Sequence, residues 1–376
     1  MQTRNFLIPV FIFTLLLMRS QAQSASLCPW LNQQGANFIH LDAHIEKNKN
    51  LTIEQIQADL DCLRILLENV YSYKDINPNH EILKKLANLS SSLQAMTSSE
   101  FIEKIFSIHS GHVDSHLSYQ GGGIEKRFSS ESKSEVKLNK DLEEGKIIDR
   151  DLFVYFKTGE VPDPTTKSQN DFIQLVRDQD RNLVIDLRGN GGGDDGFANE
   201  LAEAIFTQEE SIPQTKQVQL FSPLSKIGYC ITLSIVYGPE IPEEGKKFCN
   251  NVRNSFSKAP FAQLLPRNDQ IKTVILHGKR SVTYKSKIYV ITDSSCASSC
   301  ETIVEKLSLH PRVVTIGQST YGALHFSNAG TFVLPNSEIV VHLPTLRQDY
   351  ENEAKEGVGY QPKIETSEIN LNNLSF

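Results

Sequence analysis

A serine-rich stretch holds the residues whose types and spacing are best suited to chemistry: Asp293-Ser-Ser-Cys-Ala-Ser-Ser-Cys-Glu301. The apolar run 287–292 before it predicts a short buried strand, and residues 302–309 carry apolar side chains at helical spacing. A turn between strand and helix presents a side chain together with free backbone N–H groups and the positive end of the helix dipole. A serine nucleophile needs this arrangement, so one interpretation is that the stretch holds a nucleophile. The other interpretation is that these serines only cap the helix.

A histidine-rich stretch, His109-Ser-Gly-His-Val-Asp-Ser-His116, places three imidazoles within eight residues. Imidazole is a common general base. The same stretch raises the alternative of a metallohydrolase built on His109, His112, Asp114 and His116. Their spacing departs from the His-x-His-x-Asp-His zinc motif, and the sequence has no Cys-x-x-Cys pair. We therefore expect no catalytic metal and no other cofactor.

A glycine-rich turn, Arg188-Gly-Asn-Gly-Gly-Gly-Asp-Asp-Gly196, joins a buried strand at 182–187 to a helix at 197–206. Such a turn can cradle phosphate, but neither Gly-x-Gly-x-x-Gly nor Gly-Lys-Ser/Thr is present, and Asp194 and Asp195 repel an anion. The glycines fit better as bare backbone that lets a substrate or an oxyanion approach closely.

The composition and the N-terminus indicate where the protein acts. The chain of 376 residues has a formal net charge of −7 and no long run of Lys or Arg, which argues against nucleic acid as a partner. Arg4, the apolar residues 6–18 and Ser20-Gln-Ala22 predict a signal peptide over 1–22, too short to span a membrane. We expect a secreted or periplasmic protein without stable membrane insertion, and the oligomeric state stays open.

The six cysteines all follow the predicted signal peptide, and an even number in an oxidising compartment indicates pairing. Nearness in sequence predicts the pairs Cys28–Cys62 and Cys230–Cys249. The remaining pair, Cys296 and Cys300, flanks the middle of the serine-rich turn. The turn brings them within bridging distance if the helix begins at residue 298 or later.

Periodicity divides the rest of the chain into a helical part and an α/β part. Apolar spacing predicts helices over 51–73, 81–89 and 101–108, which form a small helical N-terminal subdomain at 23–120. From residue 150 onward strands and helices alternate, which predicts an α/β fold for 121–376. For residues 211–286 we predict strands plus an insertion that covers the site, with a charged loop from Glu243 to Lys247.

Separated stretches of the chain together resemble the tail-specific, or C-terminal processing, serine proteases. The resembling segments are Leu183-Val-Ile-Asp-Leu-Arg-Gly-Asn-Gly-Gly-Gly193, Ala297-Ser-Ser-Cys-Glu301 and Ile316-Gly-Gln-Ser-Thr-Tyr-Gly322. Asp114-Ser-His116 and Glu356-Gly-Val-Gly-Tyr-Gln-Pro362 resemble the branch that includes the tricorn protease and the retinoid-binding repeat proteins. The resemblance spans roughly residues 50 to 365 and implies a crotonase-like (ClpP-like) core.

The resemblance also implies roles for individual residues. Ser298 corresponds to the nucleophile and His116 to its base, with His109 and His112 as rivals, and Ser294, Ser295 and Ser299 as rivals of Ser298. Ser115 and Glu356 would orient the imidazole, the glutamate holding the serine hydroxyl and that hydroxyl the ring. The N–H of Ser299 and that of Gly191 or Gly192 would form the oxyanion hole. Arg188 would brace the glycine turn.

Two departures from the family pattern limit the mechanism. Many members carry a lysine base in Gly-Lys-Gly, where this chain has Gly322-Ala-Leu324, so the lysine-dyad mechanism is excluded unless another residue substitutes. The interval 121–182 is also too short for the PDZ module of many members. The leading hypothesis is a secreted serine peptidase acting on a peptide or protein substrate. The alternative is a non-catalytic relative that binds a peptide or an apolar ligand.

Overall fold

The structure, a computed structural model, describes residues 28, 48–72, 81–110, 114–127, 136–139, 143–159, 166–212, 216–256, 268–272, 276–349 and 356–376. The predicted signal peptide and His112 lie outside the described residues. The chain divides into two compact units. The first comprises Met1–Phe128, Val218–Gln270 and Asn328–Arg347, and the second comprises Ser129–Gln217, Ile271–Ser327 and Gln348–Phe376.

The α-helices of the described residues are numbered in chain order. They are α1 (Ile53–Asn69), α2 (Glu81–Ser91), α3 (Ser98–Ser107), α4 (Lys167–Asp178), α5 (Gly196–Ile205), α6 (Pro223–Tyr237), α7 (Glu243–Phe256) and α8 (Ser299–Ser308). Short 3-10 helices cover Gly238–Glu240 and Leu371–Asn373.

The strands of the described residues are numbered in the same way. They are β1 (Asn50–Leu51), β2 (Met96–Thr97), β3 (Ser118–Gly121), β4 (Ile124–Arg127), β5 (Lys137–Leu138), β6 (Ile147–Asp149), β7 (Val154–Lys157), β8 (Leu183–Asp186), β9 (Ser211–Ile212), β10 (Lys216–Phe221), β11 (Asn268–Lys272), β12 (Leu276–His277), β13 (Ile288–Thr292), β14 (Val313–Gly317), β15 (Phe326–Val333), β16 (Val340–Asp349), β17 (Ile364–Glu365) and β18 (Glu368–Ile369).

The second unit is built on a mostly parallel sheet. Within the described residues its strand order is β17-β14-β13-β8-β7-β6, and only the β6–β7 pair is antiparallel. Strands β8 and β13 are adjacent and in parallel register, with Ile288 opposite Leu183 and Ile291 opposite Asp186. The carboxyl ends of these two strands therefore lie side by side, and the glycine-rich turn and the serine-rich turn both start there.

Both faces of this sheet are covered by apolar side chains. One cluster joins β8 and β13 to apolar residues of α4, α5 and α8, among them Phe172, Phe197 and Ile303. The other joins the opposite face to residues near the C-terminus, among them Ile369 and Leu371. Every residue of β8 and of β13 is buried, as expected for parallel strands covered on two sides.

The first unit combines the N-terminal helices with a second sheet. In the part of the chain that the structure describes, this sheet has the order β11-β10-β16-β3-β4, with β15 also paired to β16. The core cluster includes Leu63 of α1, Ile102 of α3 and Val341 of β16. Strand β3 pairs antiparallel with β16, Tyr119 lying opposite Val341, so residues far apart in sequence share one core.

Most predicted elements are observed with shifts of a few residues at their ends. Thr52 caps α1 through a reciprocal capping box with Gln55, as its position before the apolar pattern predicts. The predicted charged loop from Glu243 to Lys247 is wrong, because these residues form the start of α7. Glu243 and Glu244 lie in its first turn, where acidic side chains interact favourably with the helix dipole.

The predicted cysteine pairs are confirmed. Among the described residues disulfides join Cys28 to Cys62, Cys230 to Cys249 and Cys296 to Cys300. None of the helices in the described ranges combines the length and the apolar character that crossing a membrane requires.

Candidate active site

Ser298 lies at the junction between β13 and α8, where the chain turns sharply from strand to helix. Its backbone has φ 55° and ψ −121°. Among the described residues only Glu338 is another non-glycine residue with positive φ. Holding a residue that has a Cβ in such a conformation costs roughly 1–3 kcal/mol, and such residues cluster at functional sites. A half-buried serine at a strained strand-to-helix turn is the backbone arrangement of known serine nucleophiles.

The residues around Ser298 fix the turn from within. The disulfide between Cys296 and Cys300 spans it, with the two Cα atoms 5.3 Å apart. The Asp293 carboxylate accepts the N–H of Ser295 at 2.9 Å and the N–H of Gly189 at 3.2 Å. Burial raises the pKa of this carboxyl, although both N–H contacts act in the opposite direction. Asp293 therefore ties the serine-rich turn to the glycine-rich turn.

The glycine-rich turn packs directly against the nucleophile candidate. Gly192 has φ 108°, and a Cβ placed on it would lie 2.7 Å from Ala297 O and 2.9 Å from Ser298 Cβ. The Ala297 N–H donates to Asn190 O at 3.1 Å, and the Ser299 hydroxyl donates to Gly193 O at 2.7 Å. Only glycine fits at 192, because the backbone conformation and the close contact both exclude a side chain.

A buried ion pair supports the start of the glycine-rich turn. Arg188 Nε donates to Asp186 Oδ1 at 2.9 Å, and its terminal nitrogens donate to Asp186 Oδ2 at 2.7 Å and to Val136 O at 2.8 Å. The Tyr155 hydroxyl donates to Asp186 Oδ2 at 2.5 Å, and burial together with the nearby Asp186 charge raises the pKa of this tyrosine. The predicted bracing role of Arg188 is consistent with these contacts.

Glu301, in the first turn of α8, connects Ser298 to the loop after β14. Its carboxylate accepts the Ser298 N–H at 3.1 Å, the Thr320 hydroxyl at 2.5 Å, the Gly322 N–H at 2.8 Å and the Ala323 N–H at 2.7 Å. The side chain is fully buried, and desolvation raises its pKa to about 7 despite these hydrogen bonds.

The position that matches the lysine of the Gly-Lys-Gly pattern holds alanine in this chain. Ala323 is buried, and its N–H is the group that donates to Glu301. Lys306 on α8 is also buried, and desolvation lowers its pKa, which is a feature of some lysine bases. Lys306 follows Ser298 by eight positions, a rise of about 12 Å along a regular helix, which places its backbone about two turns from the serine.

Glu356 supports the same loop from the other side. Its Oε2 accepts the Leu324 N–H at 2.8 Å and the His325 N–H at 2.7 Å. The Nδ1 atom of His325 lies 3.0 Å from Gln348 O. Gly357 and Gly359 follow with φ of 77° and 74°, in keeping with the predicted turn-rich loop.

His116 and Ser115 lie in the first unit, at the start of the segment that leads into β3. The His116 N–H donates to Asp114 Oδ1 at 3.0 Å, and Asp114 is fully buried. Desolvation lowers the pKa of the His116 imidazole to about 4, so the ring is neutral at neutral pH. A neutral imidazole is the form that a general base requires.

His109, the rival histidine at the end of α3, has structural contacts. Its Nε2 lies 2.8 Å from the Tyr119 hydroxyl, and its ring packs edge-on against Tyr71. The imidazole is completely buried. These contacts favour the interpretation of His109 as a core residue, while the other rival, His112, lies outside the described residues.

The predicted site residues are distributed over both units. In the second unit the structure brings Ser298 together with Ser299 and Gly192, the residues expected to form the oxyanion hole, and Gly191 is exposed beside them. Glu356 belongs to the same unit, whereas Ser115 and His116 belong to the first. The role of each of these residues in catalysis stays a prediction.

Three residues that support the site were missed by sequence reasoning: Asn190, Asp293 and Glu301. The sequence held a signal for Glu301, since Ser298-x-x-Glu301 matches the pattern of a capping box. Asp293 and Asn190 have no such pattern. Their contacts join segments about a hundred residues apart, such as the bond from the Gly189 N–H to Asp293.

The chain matches a known family over more than half of its length. The sequence model of Peptidase family S41 covers residues 155–366, which include the glycine-rich turn, the serine-rich turn and the Glu356 loop. A search of the curated proteins gave no match.

Solved structures share the fold. A peptidase from Parabacteroides merdae ATCC 43184 aligns over 84% of this chain and 90% of its own, with 15% identity and a TM-score of 0.50. Mature CPAF complexed with lactacystin aligns over 83% and 94%, with 12% identity and a TM-score of 0.52. Another structure of mature CPAF aligns over 83% and 92%, with 11% identity and a TM-score of 0.51. At these identities the similarity establishes a mixed α/β fold.

Proposed function

Because this chain belongs to peptidase family S41 and is a serine-type peptidase, we propose that Ser298 is its nucleophile, His116 its general base, and peptide or protein chains its substrates. The observation that carries the proposal is the strained backbone of Ser298 at the strand-to-helix turn, in contact with Gly192. Backbone strain of this kind is found at functional sites, where it holds a side chain in the orientation that the reaction needs.

In the proposed acylation step, Ser298 Oγ attacks the carbonyl carbon of the scissile peptide bond while His116 removes the hydroxyl proton. The tetrahedral intermediate collapses when His116 returns that proton to the leaving amine. Water then attacks the acyl carbonyl carbon while His116 takes a proton from it. The bond from that carbon to Ser298 Oγ breaks, His116 returns the proton to Oγ, and the carboxylic acid product leaves. Because desolvation lowers its pKa, the imidazole of His116 is unprotonated at neutral pH, which is the form that accepts the serine proton.

The negative charge of the tetrahedral intermediate needs backbone donors. We assign the N–H of Ser299, the first residue of α8, where the helix geometry leaves early N–H groups without intrahelical acceptors. The second donor comes from Gly191 or Gly192. Because the Gly192 N–H already donates to Asn190 Oδ1 at 2.9 Å, Gly191 is the favoured one of the two.

Orientation of the base is assigned to Ser115 and Glu356. The Glu356 carboxylate would accept the Ser115 hydroxyl, and that hydroxyl would hold the imidazole of His116, as the aspartate does in a serine protease triad. Glu356 Oε2 accepts two backbone N–H groups. A carboxylate has about four acceptor sites, so these contacts are compatible with a further donor.

We also propose the following division of the chain. A signal peptide occupies 1–22, a helical N-terminal subdomain 23–120, and a crotonase-like core 121–376, with a covering insertion around 211–286. The helices α1 to α3 lie within the subdomain range, and the parallel sheet of the second unit lies within the core range. The disulfides are compatible with an extracellular or periplasmic protein, and we propose that it is secreted or periplasmic.

Labelling with a fluorophosphonate, followed by peptide mapping, tests the assignment of the nucleophile. We expect one labelled peptide, modified at Ser298, and no labelling of Ser298→Ala. The matched control is Ser295→Ala, because Ser295 is an exposed serine of the same turn. Labelling at Ser294, Ser295 or Ser299, or no labelling of the folded protein, would contradict the proposal. The second of these results would favour the non-catalytic alternative.

A further inference from the structure

The disulfide that spans the nucleophile turn has a location that stability alone does not explain. Cys296 and Cys300 are four residues apart, and Ser298 is midway between them. A disulfide stabilises a fold mainly by restricting the unfolded chain, and the effect grows with the length of the closed loop. The Cys230–Cys249 bridge joins cysteines 19 positions apart in sequence. We therefore expect the Cys296–Cys300 bridge to contribute less to the free energy of unfolding than the Cys230–Cys249 bridge does.

The geometry of the bridge matches the conformation of the serine that it encloses. In a regular α-helix, Cα atoms four residues apart are separated by about 6.2 Å. The Cα atoms of Cys296 and Cys300 are 5.3 Å apart, so this segment does not continue α8 backward. A helical φ at Ser298, in place of the observed 55°, would extend α8 toward its N-terminus and redirect the Ser298 side chain.

The rest of the turn is held on both sides of the bridge. The Cys296 N–H donates to Asp293 O at 3.1 Å, and Cys296 O accepts the Tyr321 N–H at 2.9 Å. Both cysteines are fully buried within the apolar cluster that also contains Ile303 and Leu307. The two ends of the bridge are thus fixed to the protein interior, while Ser298 between them is half-buried.

From these observations we infer that the Cys296–Cys300 disulfide is a positioning element for the nucleophile, holding Ser298 in the strained conformation from which its hydroxyl reacts. The inference rests on the proposed role of Ser298. It assigns to the two cysteines no contact with substrate, since both act through the backbone of the turn. It requires the disulfide to determine the reactivity of Ser298 rather than only the amount of folded protein.

The test compares the rate and the amplitude of fluorophosphonate labelling in the full chain. The variant is Cys296→Ala/Cys300→Ala, and the control is Cys230→Ala/Cys249→Ala, which removes a bridge between α6 and α7. A positioning role predicts full labelling amplitude in the first variant, with a rate constant on the order of 10- to 100-fold below that of the wild type. The control retains the wild-type rate constant in its folded fraction.

The outcomes separate this inference from the proposed function. If the wild-type protein is not labelled at Ser298, the proposed function itself is contradicted. If the wild type is labelled and the first variant reacts at the same rate, the inference is wrong. Reduced amplitude with an unchanged rate constant shows a purely structural bridge and also overturns it.

A second variant covers the case in which the alanine pair does not fold. Cys296→Ser/Cys300→Ser keeps the volume of the buried side chains, and the same comparison of rate and amplitude applies to it. If neither variant folds while the Cys230→Ala/Cys249→Ala control does, the bridge is required for folding, and the positioning role is rejected.

Discussion

At the scale of single residues, the proposed chemistry depends on Ser298 and His116, the two side chains that would exchange a proton. Ser298 has a strained backbone, and the His116 imidazole has a pKa lowered to about 4 by desolvation. The residue types and the Asp-x-His spacing were readable from the sequence. The strain and the shift in pKa were not, because both arise from contacts that the folded chain alone creates.

The lowered pKa of His116 predicts the pH dependence of hydrolysis. The proposed base is active when neutral, so kcat/KM should rise with pH through an ionisation near 4, well below the value of about 6.5 for a free histidine. The measurement is a pH–rate profile of the wild type and of His325→Ala, which should show the same acidic limb. A limb near 6.5 in the wild type would contradict the prediction that the acidic limb reports His116 with a lowered pKa.

Gly192 is the glycine of the turn with the most restrictive surroundings. Gly192→Ala places a Cβ 2.7 Å from Ala297 O at a φ of 108°, and we expect a loss of about 3 kcal/mol in stability together with strongly reduced labelling of Ser298. In Gly191→Ala the added Cβ meets nothing within 4 Å, so its melting temperature should stay near that of the wild type. Equal melting temperatures for both variants would contradict the packing described for Gly192.

At the scale of elements, the site depends on turns that follow adjacent strands. The sequence predicted the strand, turn and helix around Ser298 and around the glycines, because each pattern is local. The adjacency of β8 and β13 brings the two turns together, and local patterns do not contain that register. The helix α6 was also missed, although Ser222 followed by Pro223 is a recognisable start signal.

Glu301 links the first turn of α8 to the loop after β14. In Glu301→Gln the amide NH₂ group replaces an oxygen that accepts two hydrogen bonds, so two donors lose their acceptor. We expect a loss of about 3 kcal/mol in the free energy of unfolding and slower labelling of Ser298. Denaturant unfolding measures the first effect. Glu305→Gln on the same helix is the matched control, and a Glu301→Gln variant as stable as this control would contradict the linking role.

At the scale of the whole molecule, the two compact units are assembled from separated segments. The helices α1 to α3 share their unit with β16, a strand more than two hundred residues later, through its pairing with β3. Local periodicity predicts the helices but does not predict the pairing of β16 with β3, two strands far apart in sequence. The cysteine pairs were predictable because each pair is close in sequence and shares a region.

The whole enzyme should work without a bound metal ion, since the proposed mechanism is complete with a serine, a histidine and backbone donors. Prolonged treatment with EDTA, followed by removal of the chelator, should leave peptide hydrolysis unchanged. Loss of activity that is restored specifically by zinc would instead support the metallohydrolase built on the histidine-rich stretch.

The most direct test of the account is the turnover of Ser298→Ala, His116→Ala and the double variant on a fluorescent unfolded protein substrate. If the two residues act as one unit, each single variant loses roughly 10⁴- to 10⁶-fold in kcat, and the double variant is little worse than either. Losses that multiply in the double variant, or near-normal turnover of His116→Ala, would contradict the assignment of His116 as the base of Ser298.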